Sequence, residues 1–195
     1  SIILDYILKD NNITPKGVAG HSLGEISALV SNKCLTFEIA LNFIKKRSES
    51  MYLEGIENPG KMIAVIDRNR ETIENLLENE DEICIANYNS FKQVIISGKK
   101  NRIDNFIKAA KDKGIKRIIE LKVSGAFHSS LMKNSRIFLE KIIKSINFNN
   151  ANVPIYQNFS PIKNLESTMI KKNLTKQIDN PVRWDEIILN LSNDN

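Results

Sequence analysis

Residues 17–30 read GVAGHSLGEISALV. Small apolar residues lead into Gly20-His21-Ser22-Leu23-Gly24, and a helical pattern follows. G-x-S-x-G between a strand and a helix is the pattern of a nucleophile elbow, a strained turn that pushes a serine hydroxyl out of the backbone. Glycines on either side of the serine let strand and helix pack around the turn. The helix N-terminus brings a positive dipole end and free N–H groups, and the N–H of Leu23 is placed to donate to an oxyanion. The bland alternative is a glycine-rich packing turn carrying an inert serine.

On either side of this stretch the pattern alternates. Residues 2–10 read as a helix ended by Asn11-Asn12, KGVAG (16–20) as a short strand, and EISALVSNK (25–33) as a helix with Ile26, Leu29 and Val30 inward. Residues 36–54 form a longer helix capped by Thr36, with Glu38 in its first turn. NPG at 58–60 breaks the chain. Then MIAVI, RETIENLLEN, EICIANY, QVIISG, RIDNFIKAAKDKG and IKRIIELKV follow in the order β-α-β-β-α-β, which is the ferredoxin-like unit. After SGAFHSSLM an amphipathic helix runs to about Ile146, VPIYQNF reads as a strand, and a helix ends before NPVRW. The expected fold is α/β: a large layered subdomain from 1–60 and 124–195, with a small ferredoxin-like subdomain, 61–123, inserted.

Composition excludes several function classes. The 195 residues are 42% hydrophobic and 26% charged, ordinary for a globular domain. No apolar run approaches the ~20 residues of a membrane span. Cys34 and Cys84 are far apart, there is no CxxC and there are only two histidines, so metal binding is not expected and both thiols read as buried and free. The net charge of +5 comes mostly from scattered lysines without interleaved aromatics. That argues against nucleic acid and leaves a solvated surface or an acidic partner. The chain opens on Ser1 directly in a helical pattern, which is expected of a piece of a longer protein.

Two further residues bear on chemistry. His21, next to the serine, is expected to be buried there as a structural histidine, because the tight turn keeps its ring from Ser22. That leaves His128, in a loop after a strand, as the candidate base. Arg47 falls on the apolar stripe Ala40, Phe43, Ile44, Met51 of its helix, with no acidic residue at helical spacing. An inward guanidinium needs a partner, either a distant carboxylate or the anionic group of a ligand.

Five segments, GHSLGEISALV, KKRSESM, IANYNSFKQVIISG, VSGAFHSSLM and KQIDNPVRW, stand in an order that resembles malonyl-CoA:acyl-carrier-protein transacylases and the related acyltransferase domains of fatty-acid and polyketide synthases. The resemblance implies an α/β-hydrolase-like large subdomain and a ping-pong reaction. In it Ser22 takes malonyl from coenzyme A as an ester and passes it to the phosphopantetheine thiol of acyl carrier protein. His128 is then the base, oriented by the backbone carbonyl of Gln177, and Arg47 holds the malonyl carboxylate. Leu23 N–H is one oxyanion donor, the second lying in a loop outside these residues. His21, Asn87 and Asn89 line the cleft, and Phe127 favours malonyl over branched substrates. Coenzyme A is a substrate, with no cofactor or metal. Malonyl-CoA and acyl carrier protein are the partners of a cytoplasmic monomer, or of a plastid or mitochondrial one in a eukaryote, with no membrane or nucleic acid. Phe91-Lys92 departs from the family's usual Pro-Gly. The alternatives are a polyketide-synthase domain, a carrier-binding paralogue without activity, and a plain serine esterase, which would have no use for Arg47.

Overall fold

The computed structural model describes residues 1–67 and 69–194. In chain order the elements are α1 (Ile2–Asp10), β1 (Val18–Ala19), α2 (Leu23–Ser31), α3 (Phe37–Glu57), β2 (Gly60–Ile66), α4 (Arg70–Leu77), β3 (Ile83–Ser90), β4 (Gln93–Lys99), α5 (Lys100–Asp112), β5 (Arg117–Glu120), α6 (Lys133–Ser145), β6 (Ile155–Tyr156), β7 (Lys163–Asn164), α7 (Ser167–Lys176) and α8 (Trp184–Asn193). The protein is mixed α/β, with two separate sheets.

The first sheet has the order β1-β6-β7. β1 and β6 run parallel with Val18 opposite Ile155 and Ala19 opposite Tyr156. Helices α2, α3, α6 and α7 pack around this sheet through Ile26, Leu29, Phe43, Leu139, Ile143 and Leu174. Thr36 caps α3 by accepting from the Ile39 N–H at 3.3 Å. The expected strand VPIYQNF pairs only at Ile155–Tyr156. Beyond it the Asn158 N–H leaves the ladder for the Glu25 carboxylate, 2.7 Å away. Helix α8 extends past the expected elements; its signal was Asp185 and Glu186 in a first turn ahead of Ile187, which is fully buried.

The second sheet is antiparallel, in the order β3-β4-β2-β5, and carries α4 and α5 on one face. Period-two alternation sorts β2 between its two sides. Ile63 and Val65 join Ile73, Ile96, Ile103 and Phe106 under the helices, whereas Met62 and Ala64 meet Ala86, Ile95 and Phe127 on the opposite side. Past the end of α5, Gly114 has a φ of +87°, the left-handed conformation that glycine adopts without a Cβ penalty.

Contacts at Asn87, Tyr88 and Arg70 join this sheet and its helices to the segment that leads into α8. Asn87 of β3 forms a parallel bridge with Val182, and the Tyr88 N–H donates to Val182 O at 2.8 Å. Arg70 at the start of α4 lies over the Tyr88 ring and pairs with Asp185 of α8 at 2.7 Å. Among the described residues no helix is long and apolar enough to cross a membrane.

Candidate active site

The serine turn lies where β1 ends and α2 begins. Ser22 has φ 50° and ψ −107°, a conformation costly for any residue with a side chain. The turn is tight enough that a Cβ on Gly20 would come within 2.0 Å of the Gly24 carbonyl. The second glycine acts differently from expectation. A Cβ on Gly24 meets nothing within 4 Å, so its contribution is the backbone that Gly20 approaches.

Two groups from distant parts of the chain converge on the Ser22 hydroxyl, and a third holds its backbone carbonyl. His128, with φ 56° in the loop after β5, places Nε2 2.8 Å from Ser22 Oγ. Its other ring nitrogen faces two carbonyls, Gln177 O at 2.9 Å and Asn180 O at 3.2 Å. Carbonyls only accept, so Nδ1 carries the proton and Nε2 presents a lone pair to the Ser22 O–H. Arg47 Nη2 donates to Ser22 Oγ at 3.0 Å and to Gln177 Oε1 at 3.3 Å. The Gln177 side-chain amide donates in turn to Ser22 O at 3.1 Å.

Arg47 is buried as the helical stripe required, at 6% exposure. Of the two partners left open by spacing, a protein carboxylate at ion-pair distance is not found among the described residues, and the buried Nε has no hydrogen-bond partner. Burial pulls the guanidinium pKa down to about 10, partly offset by the more distant Glu25, so it stays charged at neutral pH. Burial first, and then the charge of Arg47, depress His128 to about 4, against the opposing carbonyls of Gln177 and Asn180. The imidazole is therefore neutral and free to accept a proton at pH 7.

A cavity of about 360 Å³ opens over these groups. Of the residues singled out from sequence, His21, Ser22, Arg47, Asn87, Phe127 and His128 line it, and Met51, Met62 and Leu121 supply apolar wall. Asn89 sits behind the lining. Its Oδ1 accepts from His21 Nε2–H at 3.0 Å, while its Nδ2 donates to Gln93 Oε1 at 3.3 Å. His21 itself is exposed rather than buried. The tight turn throws its ring outward, where it meets Trp184 edge-on at 5.5 Å. Cys34 is buried, but Cys84 is only partly so, its thiol donating to the carbonyl of His128 at 3.6 Å. Among the described residues no group of three His, Cys, Asp or Glu side chains is placed to hold a metal.

Sequence reasoning missed the polar groups beneath the turn. The Ser22 N–H is occupied by Asn158 Oδ1 at 2.6 Å, whereas the Leu23 N–H has no partner among the described residues. Glu25, fully buried, accepts from Gln157 Nε2 and the Asn158 N–H. Its burial pushes the carboxyl pKa up. The sequence signal for Glu25 was an acid in the first turn of a helix whose neighbours are all apolar or small.

The Ser22 hydroxyl thus lies between a neutral histidine and a buried arginine that has no carboxylate at ion-pair distance among the described residues. The family model of the acyl transferase domain matches residues 7–195. The chain belongs to that family. It is 36% identical over 184 residues to the malonyl CoA-acyl carrier protein transacylase of Bacillus subtilis, covering 92% of this chain and 58% of that protein. The crystal structure of the Synechocystis malonyl-CoA:ACP transacylase superposes with a TM-score of 0.92 at 34% identity, covering all of this chain and 64% of that one. A malonyl-transacylase solved in complex with its type II PKS acyl-carrier protein superposes with a TM-score of 0.93 at 28% identity, over 99% of this chain and 64% of that one. The acyl transferase chain thus spans about three fifths of the length of the relatives it matches.

Proposed function

We propose that the protein transfers the malonyl group from malonyl-CoA to the phosphopantetheine thiol of acyl carrier protein, through an ester on Ser22, and so feeds fatty-acid synthesis. One observation carries the reading: Ser22 Oγ stands between the lone pair of His128 Nε2 and the cation of Arg47, at 2.8 and 3.0 Å. The relatives' names support it, as does the solved complex of one of them with its carrier protein.

In the first half-reaction Ser22 Oγ attacks the thioester carbonyl and its proton passes to His128 Nε2. The Leu23 N–H, unlike that of Ser22, is free to bind the oxyanion. Collapse expels the coenzyme A thiolate, which takes the proton from His128. In the second half the pantetheine thiol gives its proton to His128 and attacks the ester carbonyl, and Ser22 leaves reprotonated. Thioester, ester and thioester exchange without a change of oxidation state, and coenzyme A, released once per turnover as the leaving thiol, is a substrate.

The malonyl carboxylate lies two carbons from the reacting carbonyl. A guanidinium one hydrogen bond from the nucleophile suits that reach, and its planar fork matches a carboxylate. Phe127 narrows the cavity beside the α-carbon, His21 and Asn87 shape its wall, and Asn89 holds the His21 ring from behind it. The Gln177 carbonyl holds the His128 tautomer. The cleft lies between a large α/β-hydrolase-like subdomain, 1–60 with 124–195, and a ferredoxin-like one, 61–123. The strand order β3-β4-β2-β5 and the separate core under α4 and α5 support this division. The protein acts in the cytoplasm as a monomer.

The test is intact-mass analysis of the full-length protein after incubation with malonyl-CoA. A malonyl adduct should appear on the peptide containing Ser22 and vanish in Ser22→Ala; an adduct that survives the substitution sinks the assignment.

A further inference from the structure

Parallel pairing of β1 with β6 brings the ends of the two strands side by side. The serine turn follows the first, and Gln157-Asn158 follow the second. Asn158 has no exposed surface, and its bonds reach three successive parts of the turn. Its Nδ2 donates to Gly20 O at 2.7 Å, at the end of the strand. Its Oδ1 accepts from the Ser22 N–H at 2.6 Å, at the apex. Its backbone N–H donates to Glu25 Oε2 at 2.7 Å, in the first turn of α2. The carboxamide orientation is unambiguous, since a carbonyl oxygen stands on one side and an N–H on the other. Glu25 is braced independently by Gln157 Nε2 at 3.1 Å, and Gln157 by Asn173 at 3.0 Å.

A residue at φ 50°, ψ −107° keeps that conformation only if its surroundings over-determine it. The usual means, a ladder of main-chain bonds, is unavailable here because β1 is two residues long and Ser22 lies beyond it. We propose that Asn158, anchored by Glu25, is the positioning residue that holds the Ser22 turn in its strained form and aims Oγ at His128. By taking the Ser22 N–H it also leaves the Leu23 N–H as the donor that this turn offers to an oxyanion. Asn158 does not line the cavity, so it acts on the nucleophile and not on the acyl group. The inference rests on Ser22 being the nucleophile, but not on the identity of the acyl donor.

The experiment compares Asn158→Ala and Asn158→Asp with the wild-type full-length protein in three measurements. The first is the second-order rate of Ser22 acylation by malonyl-CoA. The second is the rate of inactivation by a small sulfonyl fluoride, which needs a reactive serine but no bound carboxylate. The third is the dissociation constant of malonyl-CoA, read in a Ser22→Ala background. Asn158→Ala should slow acylation and inactivation together, by about ten- to a hundredfold per folded molecule, the range for a buried N–H left without its acceptor. Malonyl-CoA affinity should stay within about twofold of the parent. Asn158→Asp keeps an acceptor for the Ser22 N–H and should recover part of both rates. Undiminished inactivation in the folded variants overturns the inference, as does a loss of affinity equal to the loss of rate. A wild-type protein that reacts with the sulfonyl fluoride but not with malonyl-CoA overturns the malonyl reading alone, because the inactivation series still measures what Asn158 does.

Discussion

Replacing Arg47 with alanine separates the proposed carboxylate-binding role from every other role the residue has. In the free protein its Nη2 holds Ser22 Oγ and Gln177 Oε1, and its Nε has no partner, so part of the fork is uncommitted. Removing the side chain takes the bond to Ser22 away from any acyl donor, and this common loss affects malonyl and acetyl transfer alike. Malonyl alone also loses its counter-charge in a site where the guanidinium is 6% exposed. A charge-assisted bond in such a place is worth about 1.5–3 kcal/mol, and stranding a buried carboxylate costs about 3–5. Taking ~3 kcal/mol as the difference, Arg47→Ala should reduce the malonyl-to-acetyl ratio of kcat/KM roughly a hundredfold. The assay is quenched-flow mass spectrometry of Ser22 esterification from malonyl-CoA and acetyl-CoA, with the ratio as readout so that shared damage cancels. An equal loss for both acyl groups would show that Arg47 only shapes the turn, and the case for an anionic acyl group would lose its physical basis.

Two further outcomes follow from charge. Because the folded-state pKa of His128, about 4, lies below the usual 6.5, the unfolded chain takes up the proton first. Stability from this group is complete above about pH 6.5 and declines as pH falls towards 4. Between pH 7 and 5 the wild type should lose about 2 kcal/mol more than His128→Gln in urea unfolding; matching pH dependences would refute the buried neutral imidazole. The net charge of +5 should speed encounter with an acidic carrier protein. Added salt should therefore slow transfer to the carrier protein and leave transfer to free pantetheine unaffected, and equal slowing would return the lysines to a solvated surface.

The site was legible to different depths for different residues. Ser22 could be read because its motif is local: two glycines and a following helix define the turn. Arg47 could be read as out of place, since a charge on an apolar helical stripe breaks the 3.6-residue period, but its lack of a carboxylate partner emerged only from the fold. His128 was reached as the one histidine left once His21 was set aside, and Gln177 came from the resemblance alone. Spacing cannot convey that residues 106 and 155 positions beyond Ser22 meet it. His21 was misjudged because adjacency in sequence suggested burial, whereas a sharp turn points neighbouring side chains in opposite directions.

The sequence alone determined the local elements: the alternation of β2, the caps and stripes of α3 and α5, and the β-α-β-β-α-β order, because these depend on periodicities of two and 3.6 residues. Only the tertiary structure decided what the short parallel pair β1–β6 achieves. Two paired residues in each strand leave few main-chain bonds to hold the serine turn. That task passed to Asn158 and Glu25, which are separated by 133 positions and join through a buried hydrogen bond that no local pattern encodes.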